Sequence, residues 1–199
     1  MVKVLRVNGI GITRLTSITK MMAHLPLAIR EEKPKSGLVI ALGMGTSLRS
    51  MASWGIQVKC IELVPSVVQA MPYFFKDAHL VLKQPNVDVI IDDGRRFLKR
   101  THEKFDAITI DPPPPVTSAS TSLLYSREFY EIVARSLNEG GIFQQWFPGG
   151  EEKILHAIVR SLTDVFPFVR SYKSVEGWGF HLLASMSPFT TPTAEEVLS

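Results

Sequence analysis

Closely spaced glycines followed by an acid are the residues of this chain best suited to bind a ligand. Gly43 and Gly45 follow the apolar run 38–42, and Glu62 ends the next apolar run, about 20 residues beyond the first glycine. The glycines permit a tight turn from strand to helix and a close approach of a ligand to the backbone. A carboxylate at the tip of the following strand can accept hydrogen bonds from both ribose hydroxyls. This order of residues predicts a site for an adenosine-containing ligand.

Two further apolar runs also end in acids. Asp92, Asp93 and Gly94 follow the third run, and Asp111 follows the fourth. Asp93 is suited to cap the next helix, to accept a hydrogen bond from the exocyclic amine of adenine, or to do both. Ligands of parallel α/β sheets lie beyond the carboxyl ends of the strands, so we expect these acids and the glycine turn to form one site.

Asp111 is the predicted catalytic residue. It opens the sequence Asp-Pro-Pro-Pro-Pro, in which the prolines donate no backbone hydrogen bonds and end the strand abruptly. A carboxylate held there can bind an amine and orient its lone pair toward the sulfonium of an adenosyl ligand. Such positioning lowers a reaction barrier substantially. The segment 112–124 that follows is rich in Pro, Ser and Thr, which is typical both of a loop that closes over a site and of an exposed connection.

The composition is that of a globular protein of ordinary polarity. The chain has 199 residues, of which 45% are hydrophobic and 21% charged, and its apolar runs are too short to cross a membrane. No signal peptide is predicted at its start, and its single cysteine, Cys60, is expected in the core and excludes an internal disulfide. These features predict a reducing, cytoplasmic location. The histidines lack metal-ligand spacing and the net charge of +3 is dispersed, so we predict neither a metal site nor nucleic-acid binding.

Alternating apolar patterns predict the secondary structure. Residues 2–14 alternate around Asn8-Gly9, which predicts a hairpin, and one apolar helical face from residue 17 to 29 predicts a helix that Pro26 bends or restarts. The remaining strands are predicted at 38–42, 57–62, 87–91, 105–110, 141–147, 167–174 and 178–186, and the helices near 46–54, 66–76, 94–101, 126–137 and 151–164.

This alternation predicts an α/β fold of the class I S-adenosylmethionine-dependent methyltransferase type, which is Rossmann-like. Its mostly parallel sheet would end in an antiparallel hairpin, because the short Glu176-Gly177 turn cannot join parallel strands. The predicted boundaries are a small N-terminal hairpin and helix at 1–36, an adenosyl-binding domain at 37–190 and a loose tail at 191–199.

These stretches together resemble the spermidine synthase (polyamine aminopropyltransferase) family across nearly the whole chain. The matching stretches are Val7-Asn8-Gly9, Ala23-His24-Leu25-Pro26-Leu27, 39–48, Ile61-Glu62, Asp92-Asp93-Gly94, 105–112, 125–130 and 137–146. The resemblance implies that Glu62 binds ribose, that Asp93 binds adenine, and that Asp111 positions and helps to deprotonate the attacking amine. It also implies decarboxylated S-adenosylmethionine as co-substrate, a small-molecule amine as acceptor, and a homodimer.

Three departures from the family pattern fall on the polyamine side of the site. The family turn Gly-Gly-Gly-Asp-Gly-Gly reads ALGMGT at 41–46, so Met44 replaces the acid that holds the aminopropyl ammonium. The second acid after the fourth strand falls on Pro114, and a Tyr-Gln-Glu cluster falls on Thr19-Lys20-Met21. We therefore expect an intact adenosyl half and an altered acceptor half.

Three functions remain open at this point. The first is transfer of the alkyl (aminopropyl) group of decarboxylated S-adenosylmethionine, or of a related adenosyl ligand, to an altered amine acceptor. The second is an S-adenosylmethionine-dependent methyltransferase, because Asp-Pro-Pro at 111–113 is similar to the Asn/Asp-Pro-Pro-aromatic motif of amino methyltransferases. The third is a non-catalytic domain that binds an adenosyl ligand.

Overall fold

The computed structural model describes residues 3–7, 10–112 and 118–189, so the predicted Asn8-Gly9 turn, Pro114 and the tail lie outside the described residues. The strands are β1 Val4–Val7, β2 Ile10–Arg14, β3 Ser36–Ile40, β4 Gln57–Glu62, β5 Val87–Ile91, β6 Phe105–Ile110, β7 Leu137–Phe147, β8 Phe168–Lys173 and β9 Phe180–Ser185. The helices are α1 Ser17–Ala28, α2 Thr46–Ala52, α3 Pro65–Phe74, α4 Ala78–Val81, α5 Gly94–Arg100, α6 Ala119–Ser122, α7 Arg127–Arg135 and α8 Glu152–Thr163.

In this part of the chain, seven strands form one sheet in the order β5-β4-β3-β6-β7-β9-β8. The pairs from β5 to β7 are parallel, whereas β9 is antiparallel to both β7 and β8. The predicted fold class is thus confirmed. The chain runs outward in opposite directions from β3 and β6, and ligands of such sheets bind at the carboxyl ends of the strands where the order reverses.

Two apolar layers cover the sheet. The central strands β3 and β6 are buried along nearly their whole length, which is why most of their residues are apolar. One layer includes Phe129 and Tyr130 of α7 against Phe143 of β7. The other includes Leu48 and Met51 of α2, and it contains the buried Cys60, as expected.

The element bounds differ from the predictions mainly at β3 and β7. β3 ends at Ile40 rather than at residue 42, because Ala41 has a φ of 71° and turns the chain out of the sheet. β7 begins at Leu137, four residues before its predicted start, and runs through Gly140 despite its positive φ. α1 passes through Pro26 as one helix, and the short helices α4 and α6 were not predicted.

A buried ion pair ties the end of α1 to the sheet. The side chains of Arg30 and Asp106 are only 4% and 9% exposed, and Arg30 Nη2 lies 3.4 Å from Asp106 Oδ1. Asp106 also accepts hydrogen bonds from the backbone N–H groups of Lys35 and Ser36, at 2.7 and 3.0 Å, and from Asn138 Nδ2 at 2.9 Å. This network fixes the connection from α1 to β3; the predicted domain boundary at residue 36 stays a prediction.

Ala41 is the described non-glycine residue with a left-handed backbone, which predicts unequal effects of small substitutions there. A β-branched side chain is strained in this conformation, so we expect Ala41→Val to lower the free energy of unfolding by about 2 kcal/mol. Ala41→Gly removes the strain but adds freedom to the unfolded chain, and we expect a change within about 1 kcal/mol. Urea unfolding measures both. Ala157→Val on the exposed face of α8 is the control, with an expected loss of about 0.5 kcal/mol; an equal loss at both positions would contradict a strained Ala41.

Candidate active site

The glycine turn after β3 is shaped by two close contacts. Gly45 has a φ of 91°, its N–H donates to Leu42 O at 2.8 Å, and a Cβ on it would lie 2.7 Å from Met71 Cε. Gly43 has a φ of 54°. Because a side chain at residue 45 would be both strained and too close to α3, glycine is required there. The turn therefore presents its backbone at the carboxyl end of β3, where the sequence predicted it.

Glu62 lies beside this turn and is oriented by backbone groups. Its side chain is only 6% exposed. Oε2 accepts from Leu42 N–H at 2.8 Å and Oε1 accepts from Val64 N–H at 2.9 Å. A carboxylate has further lone pairs, so these two bonds fix its orientation and still leave capacity for ribose hydroxyls. Glu62 thus links the segments that follow β3 and β4, and it is also the candidate ribose ligand.

Asp92, Asp93 and Gly94 follow β5, and Gly94 packs against Ile40 at the end of β3. Asp93 caps α5, because its Oδ1 accepts from Arg96 N–H at 2.7 Å. Asp92 Oδ1 accepts from Asp93 N–H at 2.7 Å and from Arg96 Nε at 2.5 Å. A Cβ on Gly94 would overlap the side chain of Ile40, so only glycine lets the first turn of α5 rest on β3. The capping role of Asp93 is therefore observed, and adenine binding stays a prediction.

Asp111 stands one residue beyond β6, next to the end of β3. Its predecessor Ile110 is paired with Ile40 on one side and with Gln145 on the other. Burial raises the pKa of the Asp111 carboxyl to about 7. Burial and the charge of Asp111 together raise the pKa of Tyr125, whose hydroxyl donates to Trp146 O at 3.5 Å. Asp111 is therefore partly ionised near neutral pH, which suits a general base.

The predicted site residues thus meet at one edge of the sheet. Ala41 N–H donates to Ile61 O at 2.9 Å and Asp92 N–H donates to Glu62 O at 3.1 Å, which locks the ends of β3, β4 and β5 together. Asp111 follows the strand on the other side of β3. The geometry brings Gly43, Gly45, Glu62, Asp92–Gly94 and Asp111 to neighbouring strand ends, and their roles toward a ligand stay predictions.

The positions that depart from the family pattern have separate surroundings. Met44 is 2% exposed and belongs to the apolar layer that includes Leu48 and Met71. Lys20 is exposed on α1, while the carbonyl oxygen of Thr19 accepts from Ser47 Oγ at 3.0 Å. The thioether of Met44 fills the core, so this position supplies no carboxylate to hold an ammonium.

Sequence reasoning missed an aromatic cluster at the ends of β7 and β9. The ring centroid of Trp146 lies 4.8 Å from that of His181 and 5.4 Å from that of Trp178, which is 49% exposed. Trp146 also packs against Ile18 and Met22 of α1. The usable signal is that Trp146 and Gln144 share one face of β7, the face on which Thr109 bonds to Gln144.

Other sites are absent or lie elsewhere in the described part of the chain. A cavity of about 570 Å³ lies between α5 and α7 near residues 101–104, and its lining contains none of the predicted site residues. In the described ranges, no three histidines, cysteines or acids are grouped so that they could hold a metal ion. The same ranges contain no helix with the length and apolarity needed to cross a membrane.

Comparison with known proteins agrees with this geometry. Residues 15–176 match the family model described as spermine/spermidine synthase domain. The chain belongs to the spermine/spermidine synthase family. A polyamine aminopropyltransferase of Thermoplasma volcanium is 29% identical to it over 170 residues, covering 81% of this chain and 62% of the relative. This family member thus spans about three fifths of the length of that relative.

Solved structures share its fold. A spermidine synthase in complex with the transition state analogue AdoDATO has a TM-score of 0.80 at 23% identity, covering 92% of this chain and 66% of that one. Human methyltransferase-like protein 13 in complex with SAH has a TM-score of 0.71 at 18% identity, covering 91% and 85%. This spermine/spermidine synthase domain therefore has the sheet that spermidine synthases share with methyltransferases.

Proposed function

We propose that this chain is a spermidine synthase-like transferase that moves the aminopropyl group of decarboxylated S-adenosylmethionine, or the alkyl group of a related adenosyl ligand, to a small-molecule amine. The observation that carries this proposal is the position of Asp111, a partly buried residue with a pKa of about 7 that follows β6 beside the end of β3, close enough to Tyr125 for its charge to raise the pKa of that hydroxyl. Family membership and aminopropyltransferase relatives support it. A homodimer, a cytoplasmic location and the domain bounds 37–190 belong to the same proposal.

The adenosyl end of the ligand would be held by groups already fixed in place. Glu62 would accept hydrogen bonds from the ribose hydroxyls with the lone pairs that Leu42 and Val64 leave free. Asp92 and Asp93 would face the adenine, and the backbone of the turn at Gly43 and Gly45 would approach the sulfur side. Preorganised acceptors of this kind lose little freedom when the ligand binds.

The transfer step would be an in-line displacement. The amine lone pair attacks the carbon next to the sulfonium, the carbon–sulfur bond breaks, and its electron pair neutralises the sulfur to give methylthioadenosine. The nitrogen that gains the carbon becomes an ammonium and passes a proton to the ionised carboxylate of Asp111. Tyr125 lies close enough to Asp111 for that charge to raise the pKa of its hydroxyl.

A methyltransferase is the second candidate, and the burial of Met44 favours it. In this chain residue 44 offers no anion to the aminopropyl ammonium of the decarboxylated ligand. Intact S-adenosylmethionine carries its own carboxylate beside its ammonium and makes a different demand on this turn. The relative affinity for decarboxylated and intact S-adenosylmethionine therefore distinguishes an aminopropyltransferase from a methyltransferase.

Ligand-dependent melting tests these functions. At about 100 times its Kd, a ligand adds about 2.7 kcal/mol to the stability of the native state, which raises Tm by several degrees. We expect decarboxylated S-adenosylmethionine to raise Tm more than the intact form, and Glu62→Gln to weaken binding about tenfold through the ribose contact. Exposed Glu139→Gln is the matched control. A larger increase in Tm with intact S-adenosylmethionine would support the methyltransferase. An increase in Tm without turnover of either donor would support the non-catalytic domain. No increase in Tm with any adenosyl ligand would contradict an adenosyl site.

A further inference from the structure

His181 belongs to the aromatic cluster around Trp146. It lies on β9, which is separated by β7 from β6, the strand that ends just before Asp111. It is 2% exposed and is paired with Trp146 across β7 and β9. Ile110 is paired with Gln145 and Trp146 is paired with His181, so Asp111 follows β6 at the same end of the sheet as Trp146 and His181. Two strand spacings separate β6 from β9, about 10 Å, which is within the span of a short extended amine and the two side chains that would hold its ends.

A buried chain of hydrogen bonds fixes the protonation of this ring. The Thr109 hydroxyl donates to Gln144 Oε1, and Gln144 Nε2 lies 3.2 Å from His181 Nδ1. The oxygen of Gln144 is occupied by Thr109, so the amide N–H faces Nδ1, which acts as acceptor and leaves the ring proton on Nε2. Among the described residues, Nε2 is buried without a partner. An unpaired buried donor is unfavourable and points to a ligand atom that can accept a hydrogen bond.

The surroundings of Nε2 favour an uncharged partner. Burial lowers the pKa of His181 to about 4, so the ring is neutral at neutral pH. Trp146 is in ring contact with His181 and Tyr172 is paired with it across β8 and β9, and neither neighbour is a carboxylate or a cation. An alkylammonium would meet an N–H donor here without a carboxylate to balance its charge, and a carboxylate would meet no cation.

We propose that His181 determines the choice of acceptor: its Nε2–H donates a hydrogen bond to a neutral oxygen at the far end of the acceptor amine. The preferred acceptor is then a short amino alcohol rather than a diamine, with its amine at Asp111 and its hydroxyl at His181. This inference rests on the proposed transfer to an amine and goes beyond it, because it names the chemistry of the end that does not react.

Calorimetric titration in the presence of saturating methylthioadenosine tests this choice without requiring turnover. The probes are 4-aminobutan-1-ol, 1,4-diaminobutane and 4-aminobutanoate. We expect the amino alcohol to bind the wild type at least tenfold more tightly than either of the others. His181→Leu is expected to remove that preference, whereas His181→Gln, which keeps an N–H donor near the position of Nε2, is expected to retain most of it.

Two further variants separate a specific role from a structural one. Thr109→Val removes the hydrogen bond that orients Gln144 and leaves His181 in place. We expect it to reduce the ratio by which the amino alcohol binds more tightly than the other two amines. Exposed His156→Leu is the control and is expected to change nothing. Tighter binding of the diamine or the aminobutanoate to the wild type, equal loss of all three amines in His181→Leu, or binding of none of them would overturn the inference.

A failure of the proposed function can be distinguished from a failure of this inference. Absence of methylthioadenosine binding, or of its release from decarboxylated S-adenosylmethionine with every amine, contradicts the transferase. In that case the three amines are titrated against the protein without methylthioadenosine. The role of His181 is supported if the amino alcohol still binds most tightly to the wild type and if His181→Leu removes that preference.

Discussion

Asp111→Asn is expected to lower the rate of alkyl transfer by about 10³-fold and to leave the affinity for the adenosyl ligand within about twofold of wild type. The amide keeps the shape of the side chain but cannot accept the proton of the attacking amine. Methylthioadenosine release measures the rate, and calorimetric titration measures the affinity. Asp164→Asn, an exposed position after α8, is the matched control and should change neither. Equal losses of rate and affinity would show that Asp111 holds the ligand rather than the reacting amine.

The same residue predicts the direction of two pH effects. Because burial raises the pKa of Asp111 to about 7, the wild-type rate should fall as the pH drops below 7 and the carboxylate becomes protonated. A raised pKa in the folded state also means that native stability decreases as the pH rises from about 4 to 7. The Asn variant lacks this loss, so its stability relative to wild type should increase across that range. A constant difference in unfolding free energy would contradict the raised pKa of Asp111.

Asp106→Ala is expected to produce the largest loss of stability, about 3–5 kcal/mol in the free energy of unfolding. The variant leaves the buried guanidinium of Arg30 without its partner and removes the acceptor for two backbone N–H groups and for Asn138. Urea unfolding measures the loss, and Asp88→Ala on the exposed side of β5 should stay within about 0.5 kcal/mol of wild type. A loss below 1 kcal/mol would mean that water replaces the carboxylate.

The acid dependence of stability gives this prediction a second readout. Burial alone would raise the pKa of Asp106, but the hydrogen bonds from Lys35, Asn138 and Ser36 and the charge of Arg30 outweigh burial and lower it. A lowered pKa contributes stability above the unfolded value of about 4, and that contribution disappears as the pH falls through the folded pKa. The Ala variant should therefore lose less stability than wild type when the solution is acidified below pH 4.

Most of the sheet was predictable because its strands are rich in apolar residues and several of them have clear ends. The predicted bounds of β4, β5 and β6 match the structure, and Asp111 was placed correctly at the end of β6 because the prolines after it cannot continue a strand. The same logic placed Glu62 and Asp93 at neighbouring strand ends. Short-range rules are sufficient wherever a strand ends in a residue that breaks it.

The parts that escaped prediction depend on conformation or on long-range register. The positive φ of Ala41 has no local sequence signal, since alanine ordinarily avoids it. Gly140 and Gly141 interrupt the apolar run of β7 and hid its first residues. His181 lies next to Trp146 only because β9 returns antiparallel to β7, a pairing that neither local segment specifies. The role proposed for His181 therefore depends on knowing the register.

The attachment of α1 at both ends has a consequence for the evolution of this domain. The N–H of Ser17 donates to Glu176 Oε1 at 2.8 Å in the β8–β9 turn, and Arg30 is paired with Asp106 just beyond the other end of the helix. Between these points α1 covers Trp146, the neighbour of His181. If the helix shifted, water would hydrate Nε2 and replace a bound hydroxyl as its partner. Under the proposed role of His181, new acceptor preferences would evolve by exchange of residues beneath a helix that stays in place, whereas an exchange that loosens the helix would abolish the selectivity.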